Sequence, residues 1–259
     1  HRARQLGAVD EAVNVGTVKA LFTTVTNVNF DPARVADQVR TVAALRDQAK
    51  ASYETACAAA GKQPETLSGP ATWEPAADLD GLVAQGKAVG IEARKQQFGD
   101  DVTGLQELLT YGLKGAAAYA DHAQVLGQQD DTVYAFFHDA LCKLAEGLAD
   151  VNELVQMNLQ CGATNLTVMG LLDTANTGTY GHPEPTVVRV TPVAGKAILV
   201  SGHDLKDLDL LLRQTEGKDI NVYTHGEMLP CHAYPGLKKY GHLVGNYGGA
   251  WQDQRREFE

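Results

Sequence analysis

The stretch KAILVSGHDLKDLDLLLRQTEGKDINVYTHGEM, residues 196–228, decides the fold class of this chain. Residues 197–200 are a short apolar run, typical of a strand buried on both faces of a parallel sheet, and residues 220–223 are predicted to form a second strand. Between them, leucines repeat on one helical face, with Asp204 where a helix cap is expected and Gly217 where a helix ends. The pattern predicts a strand, a helix and a second, parallel strand.

The flanking sequence extends this prediction in both directions. After it, residues 237–240 suggest a short helix and residues 243–244 a third, short strand. Before it, apolar residues repeat at helical spacing in three stripes, which predicts a helical bundle. The stripes are Val35, Val39, Val42 and Leu45; Leu105, Leu108, Leu109, Leu113 and Ala116; and Val133, Phe136, Phe137, Ala140, Leu141, Leu144, Leu148 and Val151.

We therefore expect an amino-terminal helical bundle followed by the first part of a Rossmann-like parallel-sheet domain. The bundle is assigned to residues 1–172 and the partial α/β domain to residues 196–259. Residues 173–195, rich in Gly and Pro, are interpreted as a segment that crosses between the two. Asp31 followed by Pro32 predicts the start of one bundle helix.

Composition excludes several classes of protein. The 259 residues are 44% apolar and 21% charged, which is typical of a globular chain. A net charge of −10 argues against a nucleic-acid partner, and no apolar run approaches the ~20 residues of a membrane helix. The 4 cysteines form no CxxC pair, so a self-contained thiolate site for zinc or iron–sulfur is not expected.

Polar residues follow the predicted strands where ligands gather in parallel sheets. The first strand leads into Ser201-Gly202-His203-Asp204, and the second into Thr224-His225-Gly226-Glu227. Neighbouring strands lie ~4.8 Å apart, so His203 and Glu227 are expected to face a common glycine-lined crevice. An imidazole and a carboxylate there could bind iron or zinc, or act as an acid–base pair.

Other polar residues near these strand ends have ordinary structural interpretations as well as functional ones. Asp204 and Asp207 are interpreted as helix caps, and a turn would use Asn246 and Tyr247 as readily as a crevice would. Cys231 lies close to Glu227 in the sequence, but we favour a packing role for it. Cys142 and Cys161 are interpreted as small buried hydrophobic residues on helices.

These residues also resemble a known family, the hybrid cluster proteins, also called the prismane or hydroxylamine reductase family. The similarity runs in order along essentially the whole chain. It is carried by residues 26–30 (TNVNF), 111–119 (YGLKGAAAY), 180–183 (YGHP), 201–208 (SGHDLKDL), 214–217 (QTEG), 222–230 (VYTHGEMLP) and 244–248 (VGNYG).

The resemblance implies a cytoplasmic iron–sulfur oxidoreductase related to nickel carbon monoxide dehydrogenases. Such proteins reduce hydroxylamine to ammonia, with nitric oxide as a further candidate substrate, using electrons from a redox partner protein. Their hybrid iron–sulfur–oxygen cluster takes one His and one Glu from motifs matching SGHD and HGEM, which are His203 and Glu227 here. A second cluster, [4Fe-4S] or [2Fe-2S], is held in the family by four amino-terminal cysteines.

The sequence departs from the family pattern in its cysteines. The amino-terminal cysteine motif is absent, and the remaining hybrid-cluster ligands of the family belong to sequence beyond Glu259. Cys57, Cys142, Cys161 and Cys231 fall in no matching motif. We therefore interpret the chain as an internal fragment of such a protein.

Three functional interpretations follow, together with one extension of the site. The first is the oxidoreductase, and the second is an inactive truncated scaffold without a cluster. A mononuclear metal hydrolase, the third, lacks the additional closely spaced ligand usual in zinc sites. Thr26 and Asn27 are candidates to face the substrate pocket, although a Thr-Asn pair before a capped helix is also ordinary turn chemistry.

Overall fold

The computed structural model of the chain describes residues 1–25 and 31–259. They form two compact units, one of residues 1–121 and 129–170 and one of residues 122–128 and 171–259. The helices are α1 (Arg2–Gln5), α2 (Glu11–Thr23), α3 (Pro32–Ala59), α4 (Leu79–Ala88), α5 (Ile91–Phe98), α6 (Asp100–Val125), α7 (Asp131–Ala145), α8 (Val151–Tyr180), α9 (Leu205–Thr215), α10 (Pro235–Lys238) and α11 (Gln254–Glu257). The strands are β1 (Lys196–Ser201), β2 (Ile220–His225) and β3 (Leu243–Asn246), and 3₁₀ helices span Gly69–Ala71, Gly226–Ala233 and Trp251–Asp253.

Aspartate caps fix where several helices begin. The Asp31 side chain accepts hydrogen bonds from the backbone N–H groups of Ala33 and Arg34, with Pro32 at the first helical position. Asp204 does the same for α9, accepting from the N–H groups of Lys206 and Asp207. Both caps satisfy donors that the first helical turn leaves unpaired. The predicted starts of α3 and α9 are confirmed.

In the first unit, the core lies along α6, α7 and α8. Leu109, Leu113, Phe137 and Leu154 are completely buried there, so the second and third predicted stripes do contribute core residues. Leu108, by contrast, is 60% exposed. Long helices with one buried stripe are the expected architecture of a bundle.

The first predicted stripe, on α3, is not a core stripe. Val35 and Val42 are 37% and 38% exposed, and the buried residues of α3 are Ala36, Tyr53 and Cys57. Helical spacing places apolar side chains on one face of a helix, but it does not say whether another element covers that face.

His138, on α7, makes the first unit sensitive to acid. Burial above all, together with the nearby positive charge of Arg4, lowers the pKa of His138 from 6.5 to about 4. The unfolded chain therefore takes up this proton near pH 6.5, whereas the folded chain resists it until about pH 4. Folding stability contributed by the neutral imidazole is fully present above pH 6.5 and is lost as the pH falls towards 4.

We expect the titration of His138 alone to lower the free energy of unfolding by about 2 kcal/mol when the pH falls from 7 to 5. Urea unfolding of the protein at the two pH values measures the loss. His138→Gln cannot take up the proton and should show a correspondingly smaller loss. An equal pH dependence in the variant would contradict the assignment.

In the second unit, three parallel strands lie in the order β1-β2-β3. Leu208 and Leu212 of α9 are completely buried in the hydrophobic core of this unit. That core consists of Tyr180, Leu208, Leu212, Val222, Met228, Cys231, Leu237, Tyr240 and Leu243. The sequence prediction of a helical region followed by a small parallel sheet is confirmed.

Strand β1 is less buried than its apolar sequence predicts. Its residues alternate between exposed and intermediate, and Leu199 is 37% exposed. The expectation of a strand buried on both faces is wrong for the described structure. Its edge position does not account for this, because β3 is an edge strand as well and three of its four residues are buried.

Residues 173–195 are partly helical, because α8 continues to Tyr180 before the chain becomes irregular. Within the described residues, no strand precedes Lys196. The division of the chain into domains at 172 and 196 stays a prediction. None of the helices in the described residues has both the length and the apolar character needed to cross a membrane.

Candidate site at the carboxyl ends of the strands

The carboxyl ends of β1 and β2 carry a histidine and a glutamate that contact each other. β1 ends at Ser201 and β2 at His225, and these two residues are paired in the sheet. Each strand is followed by a glycine with positive φ, Gly202 or Gly226. His203 and Glu227 come next, each two residues beyond its strand. Their side-chain atoms Nε2 and Oε2 are 2.5 Å apart.

This pair lies on the surface of its unit. The side chains of His203 and Glu227 are 62% and 54% exposed. An ion pair so exposed to solvent contributes little to folding stability, because water screens the two charges and both side chains lose conformational freedom. The contact therefore adds little to the stability of its unit.

An open groove of about 610 Å³ adjoins Glu227. Two of its lining residues, Leu229 and Trp251, are 43% and 54% exposed. The groove is lined by Gly226, Glu227, Leu229, Pro230, Gly249, Ala250, Trp251 and Gln252. The groove leaves room for a small molecule to approach the Glu227 side of the pair.

A second histidine–glutamate pair, which is partly buried, lies at the end of β2. The His225 imidazole is fully buried, and its Nε2 lies 2.7 Å from Oε2 of Glu257. Because a carboxylate only accepts, the histidine donates. This hydrogen bond, with one from the backbone N–H of Gly249, lowers the pKa of Glu257. The Phe258 ring packs edge-on against the imidazole at 4.9 Å between centroids.

A buried polar chain links β2 and β3 beside this pair. The Thr224 hydroxyl lies 2.8 Å from Nε2 of His232 and 2.9 Å from Oδ1 of Asn246. Burial lowers the pKa of His232, so that the imidazole stays neutral at neutral pH. Buried polar groups that satisfy one another in this way make the strand ends rigid.

Comparison with known proteins places the chain in a family. The family model described as Prismane/CO dehydrogenase matches residues 1–259. The chain belongs to the Prismane/CO dehydrogenase family. The resemblance seen in the sequence motifs is thereby confirmed.

Relatives of this chain carry the name hydroxylamine reductase. The protein of Rhodospirillum rubrum is 58% identical over 258 residues, which are 100% of this chain and 47% of the relative. Those of Burkholderia ambifaria and Geobacter sulfurreducens are 54% and 50% identical, over 99% of this chain and 46% and 47% of the relatives. The chain thus spans about half the length of these relatives.

The structure brings together His203 and Glu227, the two residues selected from the sequence. Their roles as ligands stay predictions. In the described residues, no group of three or more His, Cys, Asp or Glu side chains is arranged to hold a metal ion. Thr26 and Asn27, the candidate pocket residues, lie outside the described residues.

The other residues near the strand ends that were considered from the sequence have packing, capping or hydrogen-bonding roles in the structure. Cys231 is completely buried in the core of its unit, and burial raises the pKa of its thiol to about 12. Asp204 caps α9, and Asp207 lies in the first turn of that helix. Asn246 is buried in the polar chain, whereas the Tyr247 hydroxyl donates to the backbone carbonyl of Glu257.

The pairing of His225 with Glu257 was not among the predictions from the sequence. A signal for His225 existed, since it is the last residue of a buried strand and directly precedes Gly226-Glu227. No local signal indicated Glu257, because it stands 32 residues further along the chain. Gln254, which donates to the Ser201 hydroxyl at the end of β1, was missed for the same reason.

Proposed function

We propose that this chain is part of a hydroxylamine reductase, an iron–sulfur oxidoreductase that converts hydroxylamine to ammonia and water. The observation that carries the proposal is the exposed contact between His203 and Glu227 at the carboxyl ends of adjacent parallel strands. The family and the names of the relatives support it. In this proposal, both residues are ligands of a hybrid iron–sulfur–oxygen cluster.

The chemistry of the two side chains fits such a group. An imidazole nitrogen and a carboxylate oxygen suit iron at the oxygen-bridged part of a cluster, whereas thiolates suit its sulfide part. Nε2 of His203 and Oε2 of Glu227 converge on one point of the surface, where solvent reaches both. They would form part of a ligand set, and the other ligands would come from sequence beyond this chain.

The reaction requires two electrons and two protons for each hydroxylamine, as its N–O bond breaks to give ammonia and water. When bound, the cluster supplies the electrons. His203 and Glu227 would hold iron at the strand ends, and the groove beside Glu227 would admit the small, polar substrate. The buried Thr224–His232–Asn246 chain would keep the strand ends fixed while the substrate binds.

The proposal extends to the rest of the protein. Electrons would reach the site from a redox partner protein through a second cluster, [4Fe-4S] or [2Fe-2S], on cysteines that this chain does not contain. The protein would act in the cytoplasm. Nitric oxide is a second substrate to be compared with hydroxylamine in the same assay.

One observation favours a second candidate, a scaffold without a cluster. Only two candidate ligands meet at the site, and the described residues offer no larger ligand group. A stable folded chain that binds no iron would account for that geometry without any catalysis.

The experiment that separates the two candidates uses the full-length protein, isolated without oxygen. Iron and acid-labile sulfide are measured, and ammonia formation from hydroxylamine is followed with a reduced dye as electron donor. We expect cluster iron and ammonia formation. A colourless protein of the correct mass, with neither iron nor turnover after reconstitution with iron and sulfide, would refute the proposed function and favour the scaffold.

A further inference from the structure

One short helix contacts the ends of both strands that carry the proposed ligands. Nε2 of Gln254 donates to the Ser201 hydroxyl oxygen at 2.8 Å, and Oε2 of Glu257 accepts from Nε2 of His225 at 2.7 Å. Ser201 stands two residues before His203, and His225 stands two residues before Glu227. Helix α11 is therefore attached at the same offset on each side of the site.

The spacing of these two attachments matches the sheet. Gln254 and Glu257 are three residues apart on a helix, so their Cβ atoms are neighbours at about 5–6 Å. Ser201 and His225 are register partners on adjacent parallel strands, whose backbones lie about 4.8 Å apart. One face of one helical turn thus spans the two strand ends without stretching either side chain.

The Glu257 attachment is held from several directions. The backbone N–H of Gly249 donates to both carboxylate oxygens, at 3.0 and 3.1 Å, and the Tyr247 hydroxyl donates to the Glu257 backbone carbonyl. Gly248 has positive φ, and a Cβ atom there would lie 2.6 Å from both Cδ2 of His225 and Oε2 of Glu257. A residue with a side chain would therefore collide with the pair.

The environment of His225 is unlike that of a histidine retained for packing alone. Its imidazole is fully buried, yet within the described residues Nδ1 has no hydrogen-bond partner. An unsatisfied buried nitrogen costs folding free energy, and native structures contain few of them. The single strong bond to Glu257 therefore fixes the orientation of a ring that a hydrophobic residue would fill at lower cost.

We infer that Gln254 and Glu257 are positioning residues, which set the separation and orientation of His203 and Glu227 by holding the residue two positions before each. This inference rests on the proposed function, because it assigns the purpose of the positioning to the cluster ligands. Groups that orient metal ligands typically change metal affinity or activity by about 10–100-fold when removed.

The test uses the full-length protein with Gln254→Ala and Glu257→Ala, and Arg256→Ala as the matched control. Arg256 lies on the same helix, its side chain is 78% exposed, and it forms an ion pair with Asp253. Gln254→Glu is the conservative variant, because the Ser201 hydroxyl can donate to a carboxylate. Each protein is examined for iron content, the electron paramagnetic resonance spectrum of the cluster, steady-state kinetics and amide hydrogen exchange.

We expect both alanine variants to show faster exchange in peptides covering residues 201–205 and 225–229. Their cluster spectrum should change, and kcat should fall about 10-fold while the KM for hydroxylamine stays within twofold. Gln254→Glu should restore the spectrum and most of kcat, and Arg256→Ala should match the parent protein. If Glu257→Ala does not fold, Gln254→Ala and its rescue by Gln254→Glu decide the question.

Two results would overturn different claims. Spectra and kcat of the alanine variants equal to those of Arg256→Ala would overturn the positioning role alone. A parallel His203→Ala variant with unchanged iron, spectrum and turnover would overturn the proposed function itself, whatever the α11 variants show.

Discussion

Replacing His203 or Glu227 in the full-length protein is expected to lower hydroxylamine turnover by more than about 100-fold, with loss of cluster iron. Removing a group that merely orients a metal ligand costs about 10–100-fold, and the ligand itself should cost more. Glu227→Gln, which keeps the shape but loses the charge, should behave like Glu227→Ala. Iron analysis and ammonia formation measure the effect.

Two controls separate this loss from misfolding or general damage. The exposed His203–Glu227 pair contributes little stability by itself, so the circular dichroism of each variant should match that of the parent, and its thermal midpoint should match that of the iron-free parent. His182→Ala and Glu216→Ala remove the same chemical groups from exposed positions of the same unit and should leave iron and turnover unchanged. Parent-like iron and rates in both site variants would contradict the ligand assignment.

The 259-residue chain by itself is expected to bind no stoichiometric hybrid cluster and to reduce no hydroxylamine above background. Two ligands cannot hold a multinuclear site, and iron–sulfide edges need thiolates. Burial raises the pKa of Cys231 to about 12 and also raises that of Cys161, so neither thiol is ready to ionise. Cys57 is buried as well.

The measurement is iron, sulfide and turnover on purified chain whose intact mass has been verified, after reconstitution under reducing conditions. Full-length protein treated in parallel shows that the reconstitution works. Stoichiometric cluster iron together with turnover in the 259-residue chain would show that it contains a complete site.

Much of the candidate site could be predicted from the sequence because its residues sit next to local signals. Apolar runs locate the strands, and a glycine follows each strand before His203 or Glu227. Parallel strands bring their carboxyl ends to one edge, so two segments 24 residues apart in the chain meet there. The family motifs then add the expectation of iron.

The burial of apolar side chains was less predictable from the sequence than the position of the candidate site. Leu199 and Val42 belong to apolar patterns as clear as those of Val222 and Leu113, yet the first two are 37% and 38% exposed and the others are buried. A pattern states which side chains favour a core. Whether a neighbouring element reaches them depends on packing over long sequence distances.

The sequence by itself determined the element types, the starts of α3 and α9, and the placement of His203 and Glu227 at strand ends, because capping, periodicity and strand direction are local properties. Only the tertiary structure decided that α11 returns to both strand ends, joining Gln254 to Ser201 and Glu257 to His225. Those contacts span 53 and 32 residues, and hydrogen-bond partners so distant are chosen by how the chain packs as a whole.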